Sequence, residues 1–302
     1  MTVGAELHDA IGELPGAAQL IGVREHPLRS SCRLRRLDLL TVDGRLRSVI
    51  FKDLSPAARH RAPRSVLDPR REIEVYRMLR ERPEISTPRL LGFRNDEHRR
   101  RFWLFVEAVE GEPLWQSAHA RDWVAAATWL ARFHRLRPPA SKNWLRYDRR
   151  FYAGWLRRAS RLAPAAGLDE LSAAHRRAVG LLAATPVVFI HGDFYPANVL
   201  VTRGRAPGVC VVDFELAGLG AAVIDLAALL TGLPSRLASR MIDAYRDAAP
   251  ATAPAEQFEL LLVSARLHLA VRWLGWLARW EPPTHQAFDW ALEARTAAAQ
   301  LS

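Results

Sequence analysis

The sequence predicts an α+β fold of two lobes, an antiparallel-sheet lobe followed by a mostly helical one. Three observations carry this. Residues 17–54 divide into apolar runs of strand length around a hairpin signal, Asp43-Gly44. From Asp122 onward, apolar residues recur at helical spacing in one segment after another. A polar loop, His191-Gly192-Asp193-Phe194-Tyr195-Pro196-Ala197-Asn198, interrupts those helices between two short apolar runs. At 302 residues the chain is also long for a single domain. The lobes are placed at residues 1–109 and 110–302.

Residues 6–14 read as a short leading helix and 17–23 as a first strand. His26-Pro27 breaks that strand. Residues 32–42 alternate between apolar and basic positions, as a half-exposed strand does, and 46–54 return from the Asp43-Gly44 turn. Together they form a three-strand antiparallel meander. Asp68-Pro69 has the form of an N-cap with proline in the first turn, opening a helix over 70–80. Pro83, Pro88 and Gly92 read as punctuation. Residues 102–106 are a strand, and the acidic Gly/Pro turn after it ends the first lobe. In the second lobe, helices are expected over 123–136, 149–162, 168–184, 223–231, 234–248, 255–280 and 286–300. Strands flank the polar loop.

The composition narrows the function classes. No run of about 18 uncharged apolar residues is present, so no membrane span is expected. Residues 1–16 lack the basic segment and apolar stretch of a signal peptide. Two isolated cysteines, Cys32 and Cys210, suit a reducing, cytoplasmic setting better than a disulfide framework. The net charge of +11 raises the question of nucleic acid. Of 43 basic residues all but Lys52 and Lys142 are arginine, and the arginine clusters are scattered and not interleaved with exposed aromatics in a repeat. That is a solvated, arginine-biased surface, and nucleic acid is disfavoured as a partner.

The chemistry concentrates in the polar loop and its surroundings. Asn198 follows Asp193 by five residues, and Asp213, at the end of Val211-Val212-Asp213, follows Asn198 by fifteen. Phosphoryl transfer needs these oxygens: one carboxylate to orient a hydroxyl and accept its proton, a carboxamide and a second carboxylate to hold magnesium. Asp193 takes the first role, Asn198 and Asp213 the second. Lys52, near a strand end and flanked by Ile50, Phe51 and Leu54, supplies a compact charge for phosphate oxygens. An acid must hold it, and Glu72 on the next helix is favoured over Glu74. His191 and Asp225 are read as supports of the loop, the latter because a carboxylate inside Val223-Ile224-Asp225-Leu226-Ala227 needs backbone N–H partners. Glu215 is open between a metal contact through water and a solvent-facing position.

His191-Gly192-Asp193 with Asn198, Asp213-Phe214-Glu215, Asp225-Leu226-Ala227, Leu130-Ala131-Arg132-Phe133-His134 and Val49-Ile50-Phe51-Lys52 occur in an order and spacing that resemble the aminoglycoside phosphotransferase/choline kinase family, over about residues 20–280. The resemblance implies a protein-kinase-like bilobal fold that uses ATP and Mg2+. It implies that Lys52 meets the α- and β-phosphates and pairs with Glu72. It makes residues 105–109 a hinge whose backbone, Glu107 and Val109 included, holds the adenine. It implies Asp193 as catalytic acid/base and Asn198 and Asp213 as magnesium ligands. One departure stands out: the phosphate-covering segment, residues 26–31, has no glycine, so Ser30, Ser31 and backbone N–H groups take over that task, with Arg29 adding charge.

The acceptor is expected to be the hydroxyl of a small molecule. Few acids cluster in the second half, which disfavours a polycationic aminoglycoside and favours a sugar, glycoside or natural-product alcohol. Trp273, Trp276 and Trp280 fall at i, i+3 and i+7 of one helix, as a core stripe or a surface for a sugar ring. Two alternatives remain. A protein kinase-like enzyme acting on a macromolecule is disfavoured by the short link from Asp213 to Asp225, and a non-catalytic nucleotide-binding scaffold rests only on the missing glycines.

Overall fold

The computed structural model describes residues 3–25, 32–56, 66–164, 167–203, 208–249, 253–277 and 288–302. Ser30, Ser31 and the rest of the glycine-free segment, and Trp280, lie outside the described residues. The chain divides into two compact units, residues 1–111 with 210–215, and residues 112–209 with 216–302.

The first unit is built on one five-stranded antiparallel sheet. Its elements are α1 (Val3–Gly12), β1 (Ala17–Glu25), β2 (Arg33–Thr41), β3 (Leu46–Asp53), α2 (Pro69–Leu79), β4 (Leu90–Asp96) and β5 (Arg101–Glu107), with strand order β1-β2-β3-β5-β4. The β2–β3 hairpin closes through Gly44, whose φ of 75° an L side chain rarely adopts. Side chains alternate across the sheet. Leu37, Leu39, Val49, Phe51, Trp103 and Phe105 form one core with Leu7, Ala10 and Ile11 of α1 and with Leu14 just after it. Lys52 therefore points to the face away from that cluster, and it pairs in register with Leu34 and Leu104.

The strand β4 is a correction to the sequence reading, which took Pro88 and Gly92 as breaks. Pro88 precedes the strand, and Gly92 sits at a register shift between Leu90 and Gly92, a bulge. A Cβ at Gly92 would lie 2.5 Å from Leu14 Cδ2, so the glycine marks a close approach of the turn after α1 to the strand. The three-strand meander is thus part of a larger sheet.

The second unit is mainly helical: α3 (Ala120–Phe133), α4 (Arg149–Leu162), α5 (Ser172–Ala184), α6 (Val223–Leu230), α7 (Ser235–Ala248), α8 (Ala255–Leu277) and α9 (Trp290–Ala299). Residues 168–171, expected to begin α5, form a 3-10 turn after Gly167, which has φ of 62°. The strands are β6 (Glu112–Pro113), β7 (Leu145–Arg146), β8 (Val187–Ile190), β9 (Val199–Thr202), β10 (Gly208–Val211), which leads the chain back to the first unit, and β11 (Gly218–Ala221). β11 pairs in parallel with β7 and antiparallel with β8, and β6 pairs with β9. The helix α8 packs against α4, α5, α6 and α9. Its stretch of Ala265, Leu267, Leu269, Ala270 and Val271 is almost wholly inaccessible. Among the described residues no helix is long and apolar enough to cross a membrane.

Candidate active site

In the first unit the chemistry gathers around Lys52. Its neighbour α2 starts where Asp68 accepts a hydrogen bond from Arg70 N (2.9 Å) and Pro69 occupies the first turn. This start places Glu72 in the first turn on the buried face of the helix. Lys52 Nζ donates to Glu72 Oε1 at 2.7 Å and to Asp213 Oδ1 at 2.9 Å. Glu72 is fully buried and Lys52 only 5% exposed. Burial alone would lower the Lys52 ammonium, but the carboxylates of Asp213 and then Glu72 outweigh it and hold it well above the ordinary lysine range. Burial raises the Glu72 carboxyl to about 7, against the pull of Lys52. Glu74 is half-buried on the same helix.

Asp213 is positioned by more than Lys52. Arg71 donates to Glu215 O at 2.6 Å and to Val66 O at 2.8 Å, tying the segment to the start of α2. Phe214 is fully buried and meets Tyr76 edge-on, with ring centroids 5.4 Å apart. Asp213 itself has φ of 70°, a left-handed backbone that a non-glycine residue holds only when its surroundings enforce it. Glu215 is buried, which removes the solvent-facing reading of it. At the end of β5, Glu107 N donates to Arg89 O and Ala108 N to Ser48 O, while Val109 is half-buried. Burial pushes both thiols, Cys32 and Cys210, up to about 12, so neither is a nucleophile at neutral pH.

In the second unit the loop after β8 is held from three helices. Gly192 has φ of 81°, and a Cβ there would lie 2.1 Å from Tyr147 Oη and 2.2 Å from Leu216 O, so no other residue fits. Asp225, fully buried at the start of α6, accepts from His191 N (2.6 Å) and Gly192 N (2.8 Å). His134, at the end of α3, reaches the same carboxylate with Nε2 at 3.1 Å and Tyr245 Oη with Nδ1 at 2.8 Å. The His191 ring accepts from Asp193 N at 3.3 Å. A turn follows in which Tyr195 N donates to Asp193 O and Asn198 N to Tyr195 O. Asn198 Nδ2 donates to Asp193 O at 2.8 Å and to Asp193 Oδ2 at 3.2 Å. With Nδ2 committed to Asp193, the oxygen end of that amide is the end left for a cation. Arg272 of α8 donates to Gly192 O at 2.6 Å and to Asp193 Oδ1 at 3.1 Å.

Next to the loop stands an aromatic group. Trp273 Nε1 donates to Tyr195 Oη, and the Trp273 ring stacks on Trp290 of α9, with centroids 5.4 Å apart and planes within 13°. Trp276 stacks on Trp155 instead, at 5.8 Å. The tryptophans of α8 therefore do not share a single partner.

Sequence reasoning missed Arg272, Trp290 and the contact of His134 with Asp225. Arg272 did carry a signal: it is a charge inside the apolar run Leu267 to Leu274, the same anomaly that singled out Asp225. His134 and Trp290 gain their roles from partners 91 and 17 residues away, which spacing alone does not reveal.

Solved structures with the same fold include a choline kinase of Streptococcus pneumoniae (14% identity, TM-score 0.68, covering 99% of this chain and 98% of that one). A Thermobifida fusca protein described as a candidate fructosamine-3-kinase matches at 23% identity and TM-score 0.65, covering 97% of this chain and 98% of that one. A spectinomycin phosphotransferase solved with ADP and spectinomycin matches at 12% identity and TM-score 0.60, covering 98% and 97%. The fold is the protein-kinase-like α+β one. No curated protein matches the sequence. A family model described as the phosphotransferase enzyme family matches residues 37–258, and the chain belongs to that family.

Proposed function

We propose that the chain is a small-molecule kinase that transfers the γ-phosphoryl group of ATP to an acceptor hydroxyl with magnesium, in a reducing, cytoplasmic setting. Membership in the phosphotransferase family supports the reaction class, and one matched structure contains ADP. The observation that carries the reading is the buried Lys52 with its two carboxylates. Such a group stabilises a fold no better than apolar side chains of similar volume. Its value lies in aiming a fixed charge at phosphate oxygens.

In this reading Lys52 meets the α- and β-phosphates and Glu72 orients it. The backbone at Glu107 and Val109 holds the adenine, and Ser30 and Ser31 cover the phosphates. Asn198 and Asp213 hold magnesium, whose charge neutralises the phosphate oxygens when it is bound. The donor set fits that ion, which keeps several waters and shares its remaining positions between one or two protein groups and the nucleotide. Among the described residues no cage of three or more His, Cys, Asp or Glu gathers. Asp193 accepts the hydrogen bond of the acceptor hydroxyl and takes its proton. A bond forms from the acceptor oxygen to the γ-phosphorus as the bond to the β–γ bridging oxygen breaks, leaving ADP.

The acceptor side offers Tyr195, Trp273 and Trp290 rather than a cluster of acids. Arg272 neutralises Asp193 as well. Both features support a neutral or anionic hydroxyl compound, such as a sugar, glycoside or natural-product alcohol, over a polycation.

The test is ADP release from ATP and magnesium across a panel of hydroxyl compounds, with wild type and Asp193→Ala side by side. Transfer that disappears in Asp193→Ala while ATP binding persists supports the reading. Equal phosphate release by both proteins with every compound tried would overturn it.

A further inference from the structure

Arg272 is the residue that the proposed reaction leaves unused. It lies in the most buried part of α8, between Val271, which has no accessible surface, and Trp273, and is itself 3% exposed. A guanidinium presents five N–H donors in a rigid plane and stays charged in any protein setting. Placing that charge in a core is unfavourable unless it is paired. Helix packing gains nothing from it that a leucine would not supply. Its polar partners belong to the loop: Gly192 O, Asp193 Oδ1, which is also its one ion pair among the described residues, and the side chain of Tyr195. One end of the fork sets the loop backbone where only glycine fits, and the other sets the carboxylate that follows it.

The two oxygens of Asp193 are thereby distinguished. Oδ1 is bound by the cation of Arg272 at 3.1 Å, and Oδ2 by the neutral amide of Asn198 at 3.2 Å. A carboxylate held at both oxygens has a fixed plane, which orients a hydroxyl before transfer.

We propose that Arg272 is a positioning residue for phosphoryl transfer: it holds Gly192 O and Asp193 Oδ1 and so leaves Oδ2 turned toward the acceptor hydroxyl. This rests on the kinase reading given above. The same helix places Trp273 on Tyr195 of the loop, so α8 both aims the carboxylate and borders the space beside it.

The experiment compares wild type, Arg272→Lys, Arg272→Leu and Arg272→Gly for nucleotide Kd and steady-state kinetics, with and without added guanidinium. For Arg272→Leu we expect kcat to fall about 100-fold with the KM for ATP nearly unchanged, since general-base geometry is worth about that much. Arg272→Lys keeps the charge without the planar fork and should lose most of the turnover. It also serves as the test if Arg272→Leu fails to fold. Millimolar guanidinium should restore part of the Arg272→Gly turnover, and urea, its neutral analogue of similar shape, should not. Full turnover in Arg272→Leu, a loss confined to nucleotide binding, or equal rescue by urea would overturn the proposal. If the wild type itself transfers no phosphoryl group, the kinase reading fails. The backbone amide signals of Gly192 and Asp193, compared by NMR in wild type and Arg272→Leu, then decide whether Arg272 fixes the loop, and unchanged signals overturn that role.

Discussion

Lys52 shows how a single residue joins stability to function. Its ammonium lies between Glu72 and Asp213, all within the first unit. Replacing Glu72 by alanine removes one partner and leaves a buried charge less well compensated. We expect Glu72→Ala to lose about 3 kcal/mol in urea unfolding, the lower part of the range for a broken buried pair. Lys52 and Glu72 replaced together by methionine and leucine should recover much of that stability without recovering ATP affinity. Gly192 gives a second outcome at the same scale. Its φ of 81° and the 2.2 Å approach of Leu216 O to a Cβ mean that an alanine meets backbone, which cannot swing aside. Gly192→Ala should lower the melting temperature by several degrees, since a strained overpacked site costs about 2 kcal/mol. It should also abolish turnover, because the next residue is Asp193.

Helices set the acidity range in which the second unit is stable. His175 of α5 and His268 of α8 are buried beside Tyr152, with His175 and His268 ring centroids 6.4 Å apart and those of Tyr152 and His268 4.8 Å apart. Neither ring nitrogen of His268, nor Nε2 of His175, has a protein hydrogen-bond partner. Burial lowers the His175 imidazole to about 4. Burial, His175 and the Arg272 cation hold His268 well below its ordinary value. Both rings are therefore neutral when folded and take up protons when unfolded once the pH falls below about 6.5. The stability they permit is fully present above that pH and is lost progressively as pH falls toward 4. For His175 alone the shift from 6.5 to about 4 corresponds to roughly 3 kcal/mol. Denaturant unfolding from neutral to mildly acidic pH should show a shallower loss in His175→Leu/His268→Leu than in wild type. Parallel slopes in the two proteins would contradict this assignment.

At the scale of the whole molecule the dominant quantity is charge. A net charge of +11 attracts a polyanionic nucleotide over distances that salt screens. We expect the KM for ATP to rise severalfold between about 0.05 and about 0.5 M sodium chloride, with kcat changing much less. A salt response confined to kcat would place the effect at the chemical step instead. Magnesium and ATP together should also stabilise the protein against heat, by about 2.7 kcal/mol when the nucleotide is at 100 times its Kd.

The sequence by itself determined the elements and the chemical inventory. Period-2 and helical patterning, the Asp43-Gly44 turn and the Asp68-Pro69 cap are local signals, because hydrogen bonding and backbone sterics act within a few residues. They located the meander and most of the helices, while β4 was hidden because its glycine serves a bulge and a close approach that only the packed sheet reveals. The polar loop and its spacing to Asp213 were legible for the same local reason, since strands on either side leave a short loop few ways to direct its side chains. The tertiary structure alone decided which groups act on one another. It placed Lys52 between Glu72 and Asp213, brought His134 to Asp225, and set Arg272 on Asp193 across 79 residues of chain. Such pairings depend on burial, which makes an unpaired charge unfavourable and so selects its partner by distance in space. A sequence shows that a charge sits in an apolar run, and the fold decides which group answers it.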